Sequence, residues 1–180
     1  MVAVLLANGF EEIEALTVVD ILRRGGIKVQ TVSIEQEKWV CGAHEIRVEA
    51  DCTAAEFQLD GMQAIVLPGG GLGTTNLKKS KWVEQLLRQA QEAGAFLCAI
   101  CAAPSVLGKY GYLQGKKAIC YDGFESQLTG AQIMDQPVVM DGTIITSKGA
   151  GTAHLFGFEI LRKLKDAATA MQVKESMKYE

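Results

Sequence analysis

A short apolar run that ends on a cysteine and turns at once into small residues constrains this chain most. It reads Gly94-Ala95-Phe96-Leu97-Cys98-Ala99-Ile100-Cys101-Ala102-Ala103-Pro104-Ser105-Val106-Leu107-Gly108. Phe96 to Ile100 has the length and unbroken apolarity of a strand buried on both faces of a parallel sheet. Pro104 suits the first turn of a helix, where its missing N–H costs nothing. Cys101 therefore falls on the corner between a strand's carboxyl end and a helix's amino end. Ligands of open α/β sheets bind at that end of the strands. The positive end of a helix, with its unpaired N–H groups, favours a thiolate over a thiol. Cys101 is therefore expected to be the most acidic of the five cysteines. A strand-to-helix turn that exposes a nucleophile is the device of the α/β-hydrolase elbow, with sulfur replacing oxygen. The competing role of a free cysteine is that of a small buried hydrophobe. Cys98 is assigned that role, because it lies inside the strand even though Cys98-x-x-Cys101 has a redox-like spacing.

The rest of the chain alternates in the same way. Val2 to Leu6 reads as a buried strand, and Ala7 to Phe10 as its exit loop. Glu11-Glu12 open a helix whose apolar positions Ile13, Leu16, Val18, Ile21 and Leu22 are expected to pack on the sheet, and Gly25-Gly26 end it. Lys28 to Ile34 reads as a second strand, Trp39–Cys41 with Glu45–Val48 as a hairpin, and Asp51 to Phe57 as a short capped helix. Ala64 to Leu67 is a further buried strand, running into Pro68-Gly69-Gly70-Gly71-Leu72-Gly73. That loop is either an anion cradle of bare backbone N–H groups or a tight turn into a helix, and it lacks both GxGxxG spacing and a Walker lysine. Trp82 to Ala93 is amphipathic. Lys117 to Tyr121 reads as a strand, and Val138–Met140 with Ile144–Ser147 as a hairpin. A last helix follows Gly149 to Thr152, with Phe156, Ile160, Leu161 and Leu164 on one face. This pattern predicts a mainly parallel sheet with helices on both faces. It is expected as one domain over residues 1–166, followed by a polar C-terminal tail over 167–180.

Composition narrows the function class. A formal net charge of −3 argues against nucleic acid or an anionic membrane as the main partner. Five cysteines at irregular spacing do not form a disulfide framework, which points to a reducing compartment. The opening strand is too short for a membrane span and has no basic leader, so a cytoplasmic location is expected. Neither histidine pairs with the cysteines at zinc-site spacing, so no metal or other cofactor is expected.

Cysteine chemistry needs a proton donor or acceptor nearby. The imidazoles available are His44 and His154, and His154 reads as a surface or capping residue. Among the glutamates of the first helix, Glu14 lies between Ile13 and Ala15, within a turn of Leu16. Either it is a solvated helix residue, or it presses toward the apolar interface and keeps its proton. The second case suits hydrogen bonding to a thiolate.

Four segments in order carry a resemblance: Asn8-Gly9-Phe10-Glu11-Glu12-Ile13-Glu14-Ala15, Leu67-Pro68-Gly69-Gly70, Ala99-Ile100-Cys101-Ala102-Ala103-Pro104 and Thr146-Ser147-Lys148-Gly149-Ala150-Gly151-Thr152. With them the chain resembles the ThiJ/PfpI superfamily, in its DJ-one branch, over about residues 2–165. The resemblance implies a flavodoxin-like three-layer sandwich assembled as a homodimer. It implies Cys101 as nucleophile and redox-sensitive thiol, Glu14 as its protonated partner, and the backbone N–H groups of Gly70 and Ala102 as an oxyanion hole. It also implies Arg24 and His44 near the partner subunit's site. The chain departs from the pattern in places. Ala102 stands where the peptidase-like branch has histidine, and an amidotransferase Cys–His–Glu triad is not supported. Tyr121 or a neighbour stands where a deglycating member has histidine, while His44 and Ala150 stand where the family has arginine and proline. The function implied is detoxification of reactive dicarbonyls, as a glutathione-independent glyoxalase or a protein or nucleotide deglycase. The alternatives are an oxidative-stress sensor or holdase switched at Cys101, and a thiamine-pathway or nucleotide-binding role.

Overall fold

The computed structural model describes residues 1–179. Its strands are β1 (Val2–Leu6), β2 (Val29–Ser33), β3 (Trp39–Cys41), β4 (Arg47–Glu49), β5 (Cys52–Thr53), β6 (Ala64–Leu67), β7 (Phe96–Ile100), β8 (Lys117–Ala118), β9 (Gln132–Ile133), β10 (Val138–Asp141) and β11 (Ile144–Ser147). The helices are α1 (Glu12–Arg24), α2 (Gly71–Lys79), α3 (Lys81–Glu92), α4 (Pro104–Lys109), α5 (Ala153–Leu164) and α6 (Ala167–Ser176). Seven strands make the central sheet in the order β10-β11-β7-β6-β1-β2-β5. All its pairs are parallel except β10 with β11.

The apolar runs become central strands because both their faces are covered. Val2, Val4 and Leu6 pack with α1, α5 and α6, while Ala3 and Leu5 pack with α2, α3 and α4. Period-two alternation thus divides one strand between two cores. The second layer is set by α3, whose buried Val83, Leu86, Leu87 and Ala90 share one face, with Ser80 capping the Val83 N–H. On the other face α1 and α5 approach closely at Gly157, where a Cβ would lie 2.8 Å from Ile21 Cδ1. The chain therefore forms a mixed α/β three-layer sandwich with a mainly parallel sheet. No helix among the described residues is long and apolar enough to cross a membrane.

Four local expectations are corrected. Ile13 and Leu16 are exposed, at 52% and 37%, and the buried face of α1 carries Glu12, Glu14, Ala15, Val18, Val19, Ile21 and Leu22 instead. Asp51 to Phe57 is not a helix. Cys52–Thr53 pairs with the end of β2, and the Glu56 carboxylate closes a turn on the Thr53 N–H. Lys117 to Tyr121 contributes two residues to a separate ladder with β9, outside the central sheet. Of residues 167–180, expected as a polar tail, Ala167–Ser176 form α6, and Glu180 lies outside the described residues. Asp166 caps the Thr169 N–H at 2.7 Å, and Ala170 and Val173 are buried against the α1–α5 layer.

The order of the sheet fixes where a ligand can sit. From β1 the chain steps outward to β2 on one side, then returns to β6 on the other. The crevice at the carboxyl ends of β1 and β6 is a topological switch point, with the end of β7 beside it.

Candidate active site

Three segments converge at that crevice: the first turn of α1, the glycine loop after β6, and the corner after β7. Each is held by backbone bonds before any side chain matters. The Glu11 N–H donates to Gly69 O at 3.2 Å, and the Gly73 N–H to Gly9 O at 3.1 Å. Cys101 donates its N–H to Ser147 O at 2.9 Å and accepts the Tyr121 N–H on its carbonyl at 2.8 Å. That clamp holds Cys101 at φ 64°, a left-handed conformation that costs a non-glycine residue about 1–3 kcal/mol. The strain turns the thiol out of the strand, and its side chain is half-buried between Gly69 and the α4 turn.

Gly69 is what lets the segments meet. A Cβ there would lie 2.7 Å from both Cys101 Cβ and Glu14 Oε2. Gly70, at φ 87°, has no room either, since a Cβ would lie 2.2 Å from Gly9 O. The first approach is of side chains to the Gly69 backbone and the second of backbone to backbone, and each leaves no room for a Cβ.

Glu14 is fully buried. Its Oε2 accepts the Gly69 N–H at 2.7 Å, while its Oε1 is buried with no hydrogen-bond partner among the described residues. Burial pushes its pKa up to about 7; hydrogen bonds from Gly69 and Cys101 pull down, and the Glu11 charge pushes further up. An unpartnered buried carboxylate oxygen is costly, and a proton on it removes the charge and supplies a donor. The Cys101 thiol is pushed up to about 12, first by burial and then by the charge and hydrogen bond of Glu14. The N–H groups of Ala102 and Gly70, which face the sulfur, pull it down. The expectation that the corner alone makes Cys101 the most acidic thiol is therefore corrected: burial, and after it an ionised Glu14, raises its pKa. A carboxyl with a pKa about 7 is protonated in about half of the molecules at neutral pH. In those its charge no longer opposes the thiolate, and its O–H can donate to sulfur. The two groups therefore titrate as a coupled pair. Of the other thiols, burial pushes Cys98 up strongly, Cys120 up to about 11, and Cys52 upward.

The structure thus brings together Cys101, Glu14, Gly70 and Ala102. Arg24 and His44 sit elsewhere. Arg24 is the last residue of α1, ten residues beyond Glu14, about 15 Å along the axis, and its Nε donates to Asp20 Oδ2 at 2.6 Å. His44 is exposed and binds the buried Glu12 twice. Its backbone N–H donates to Oε1 and its ring Nδ1 lies near Oε2, each at 2.7 Å. Those bonds raise the imidazole's pKa. Glu11, Glu12 and His44 place potential metal-ligand atoms within 4.8 Å of one another, but both Glu12 oxygens are already taken by His44. His154 stacks on Tyr179 with ring centroids 5.1 Å apart. Tyr121 touches the site through its backbone, while its exposed ring packs over Gly149. The clamp from Ser147 and Tyr121 was not foreseen from the sequence, because backbone bonds leave no signature in residue type. Gly69 could have been found, since a glycine at a strand's carboxyl end signals close approach.

The comparisons with known proteins agree with this geometry. The family model described as the DJ-1/PfpI family matches residues 1–163. Protein dj-1beta of Drosophila melanogaster is 35% identical over 176 residues, covering 97% of this chain and 94% of the relative. The glutathione-independent glyoxalase DJR-1.2 of Caenorhabditis elegans is 31% identical over 157 residues, covering 86% and 83%. The structure of oxidized Toxoplasma gondii DJ-1 superposes with a TM-score of 0.95 at 30% identity, covering 99% of this chain and 97% of that one. Matched in both sequence and fold, the chain belongs to the DJ-1/PfpI family.

Proposed function

We propose that the protein is a glutathione-independent glyoxalase that converts reactive dicarbonyls such as methylglyoxal to hydroxy acids, with Cys101 as nucleophile and Glu14 as acid–base group. One observation carries this reading: a fully buried carboxyl with a pKa about 7 and an unpartnered oxygen stands beside a thiol that two backbone N–H groups already engage. A C. elegans relative named for this activity supports it.

The steps balance without an oxidant. The Cys101 sulfur adds to the aldehyde carbon, and the oxygen takes a proton to give a hemithioacetal. The N–H groups of Gly70 and Ala102 stabilise charge on that oxygen as it develops. Glu14, as carboxylate, removes the proton from the carbon bearing sulfur, leaving an enediol, and returns it to the neighbouring carbon. The product is a thioester, which water cleaves to release the hydroxy acid and the thiol. One carbon is oxidised and its neighbour reduced, so the sum is substrate plus water. Deglycation of adducts would use the same cysteine addition.

Intact-mass analysis tests the roles. Glu14→Ala should hold a methylglyoxal adduct on Cys101 that the unmodified protein turns over. An adduct on Cys41 or on lysines, with Cys101 free, would refute the assignment. A sensor role has one observation of its own in the half-buried thiol facing two N–H donors, which would hold a sulfinate. We further assign the protein to the cytoplasm and to a homodimer. The exposed Ile13 and Leu16 of α1 and Ile46 of the hairpin loop supply the apolar surface for the dimer.

A further inference from the structure

Away from the Cys101 corner, α3 and the turn after α4 enclose a groove of about 360 Å³ lined by Lys81, Glu84, Gln85, Arg88, Tyr110 and Tyr112. That volume falls within the range of small-molecule sites, about 300–1,000 Å³. Lys81, Gln85 and Arg88 recur at one-turn intervals, so they share one face of α3. The tyrosines come from the opposite wall. The Tyr110 hydroxyl donates to Lys78 O at 3.1 Å, and Lys109 Nζ donates to the same carbonyl while lying 4.9 Å from the Tyr110 ring centroid. Lys78 and Lys109 thereby sit beside the groove, tied to its Tyr110 wall.

The charge here is locally positive. The protein carries a formal net charge of −3, yet Lys81 and Arg88 face a groove with one carboxylate in its lining, Glu84, and Lys78 and Lys109 lie beside it on Tyr110. Among the described residues none of these four cations makes an ion pair, so no carboxylate already neutralises them. Burial, and after it the charge of Lys109, lowers the pKa of Lys78. Arg88 lies one turn from Glu84 and remains unpaired; after burial, its charge and those of Glu84 and Glu92 bear on the Tyr112 hydroxyl. Uncompensated like charges repel, and a bound anion relieves that repulsion.

We propose that this groove binds a small ligand carrying a phosphate group on a flat ring, with Arg88 and Lys81 holding the phosphate and the ring lying against Tyr110 and Tyr112. The guanidinium fork matches phosphate oxygens, and Lys81 adds a point charge beside it. Tyrosine faces bury a flat ring and keep their hydroxyls for polar contact. The site is independent of the reading given for Cys101.

Phenyl phosphate is the probe, titrated into the full-length protein by calorimetry and by amide NMR shifts, with phenol for comparison. Saturable one-to-one binding is expected, with shifts centred on residues 81–88 and 110–112 and none of comparable size at Gly70 or Ala102. Phenol should bind far more weakly. Arg88→Gln should weaken phenyl phosphate by about tenfold or more, the loss of a charge-assisted pair. Glu84→Gln should tighten it, because a repelling carboxylate is removed. Both side chains are exposed, and circular dichroism melts check that the fold persists. Non-saturating shifts spread over many lysines, shifts centred on the Cys101 corner, or an affinity unmoved by both substitutions would each overturn the proposal.

Discussion

Replacing Glu14 by glutamine probes the buried carboxyl most directly. An ordinary glutamate value of 4.5 raised to about 7 by burial corresponds, at about 1.4 kcal/mol per pH unit, to about 3 kcal/mol. The sign follows from which state holds the proton. Below pH 4.5 the carboxyl is neutral in both folded and unfolded chains, and the folded state bears no charge penalty. Between 4.5 and about 7 the unfolded chain releases the proton more readily, so stability falls with rising pH; above about 7 it levels off. Glutamine keeps the shape, accepts the Gly69 N–H and does not titrate. Urea unfolding under reducing conditions, from pH 4.5 to 8, should show the stability of the unmodified protein falling relative to Glu14→Gln by about 3 kcal/mol. A difference that stays flat with pH would mean that Glu14 ionises as an exposed glutamate does, and the case for a protonated Glu14 would fail.

Gly69→Ala should destabilise by about 1–3 kcal/mol through overpacking and slow alkylation of Cys101 by iodoacetamide; unchanged thermal melting would show that the crevice has room for the methyl group. Gly157→Ala should cost a similar amount by forcing α1 and α5 apart at Ile21 while leaving Cys101 alkylation unchanged, which separates fold from site. Ile13→Glu combined with Leu16→Glu should give a monomer by light scattering; a monomeric unmodified protein would remove the proposed dimer.

The central strands were legible because burial on both faces writes a continuous apolar run, as in Phe96–Ile100, which forms the strand as read. The position of Cys101 followed from the same logic. Misreadings fell where tertiary contacts overrule local pattern. Ile13 and Leu16 satisfy a helical period, but the direction of approach between α1 and the crevice buries Glu12 and Glu14 instead, each with specific partners. Asp51–Phe57 has helix-compatible residues, but the end of β2 offers Cys52 a strand partner. The polar composition of residues 167–180 hid the two contacts, Ala170 and Val173, that seat α6. The acidity of Cys101 is not legible because a helix end is visible in sequence, whereas the burial of the thiol and the charge of a carboxyl brought in from 87 positions earlier are not.

The measurement that tests the account most directly follows methylglyoxal and lactate together by proton NMR, with purified protein and no glutathione. The unmodified protein should consume the dicarbonyl and release lactate over many turnovers per chain. Glu14→Gln should lower the rate by about a hundredfold to ten-thousandfold, the usual loss for one positioned acid–base group. Cys101→Ser should abolish product, since a hydroxyl is a far weaker acid and nucleophile than a thiol and a carboxylate with a pKa about 7 is too weak a base to activate it at neutral pH. Lactate formed equally well by Cys101→Ser would contradict the mechanism. Dicarbonyl loss that stops at one equivalent per chain without lactate would contradict turnover and leave Cys101 as a scavenger or sensor.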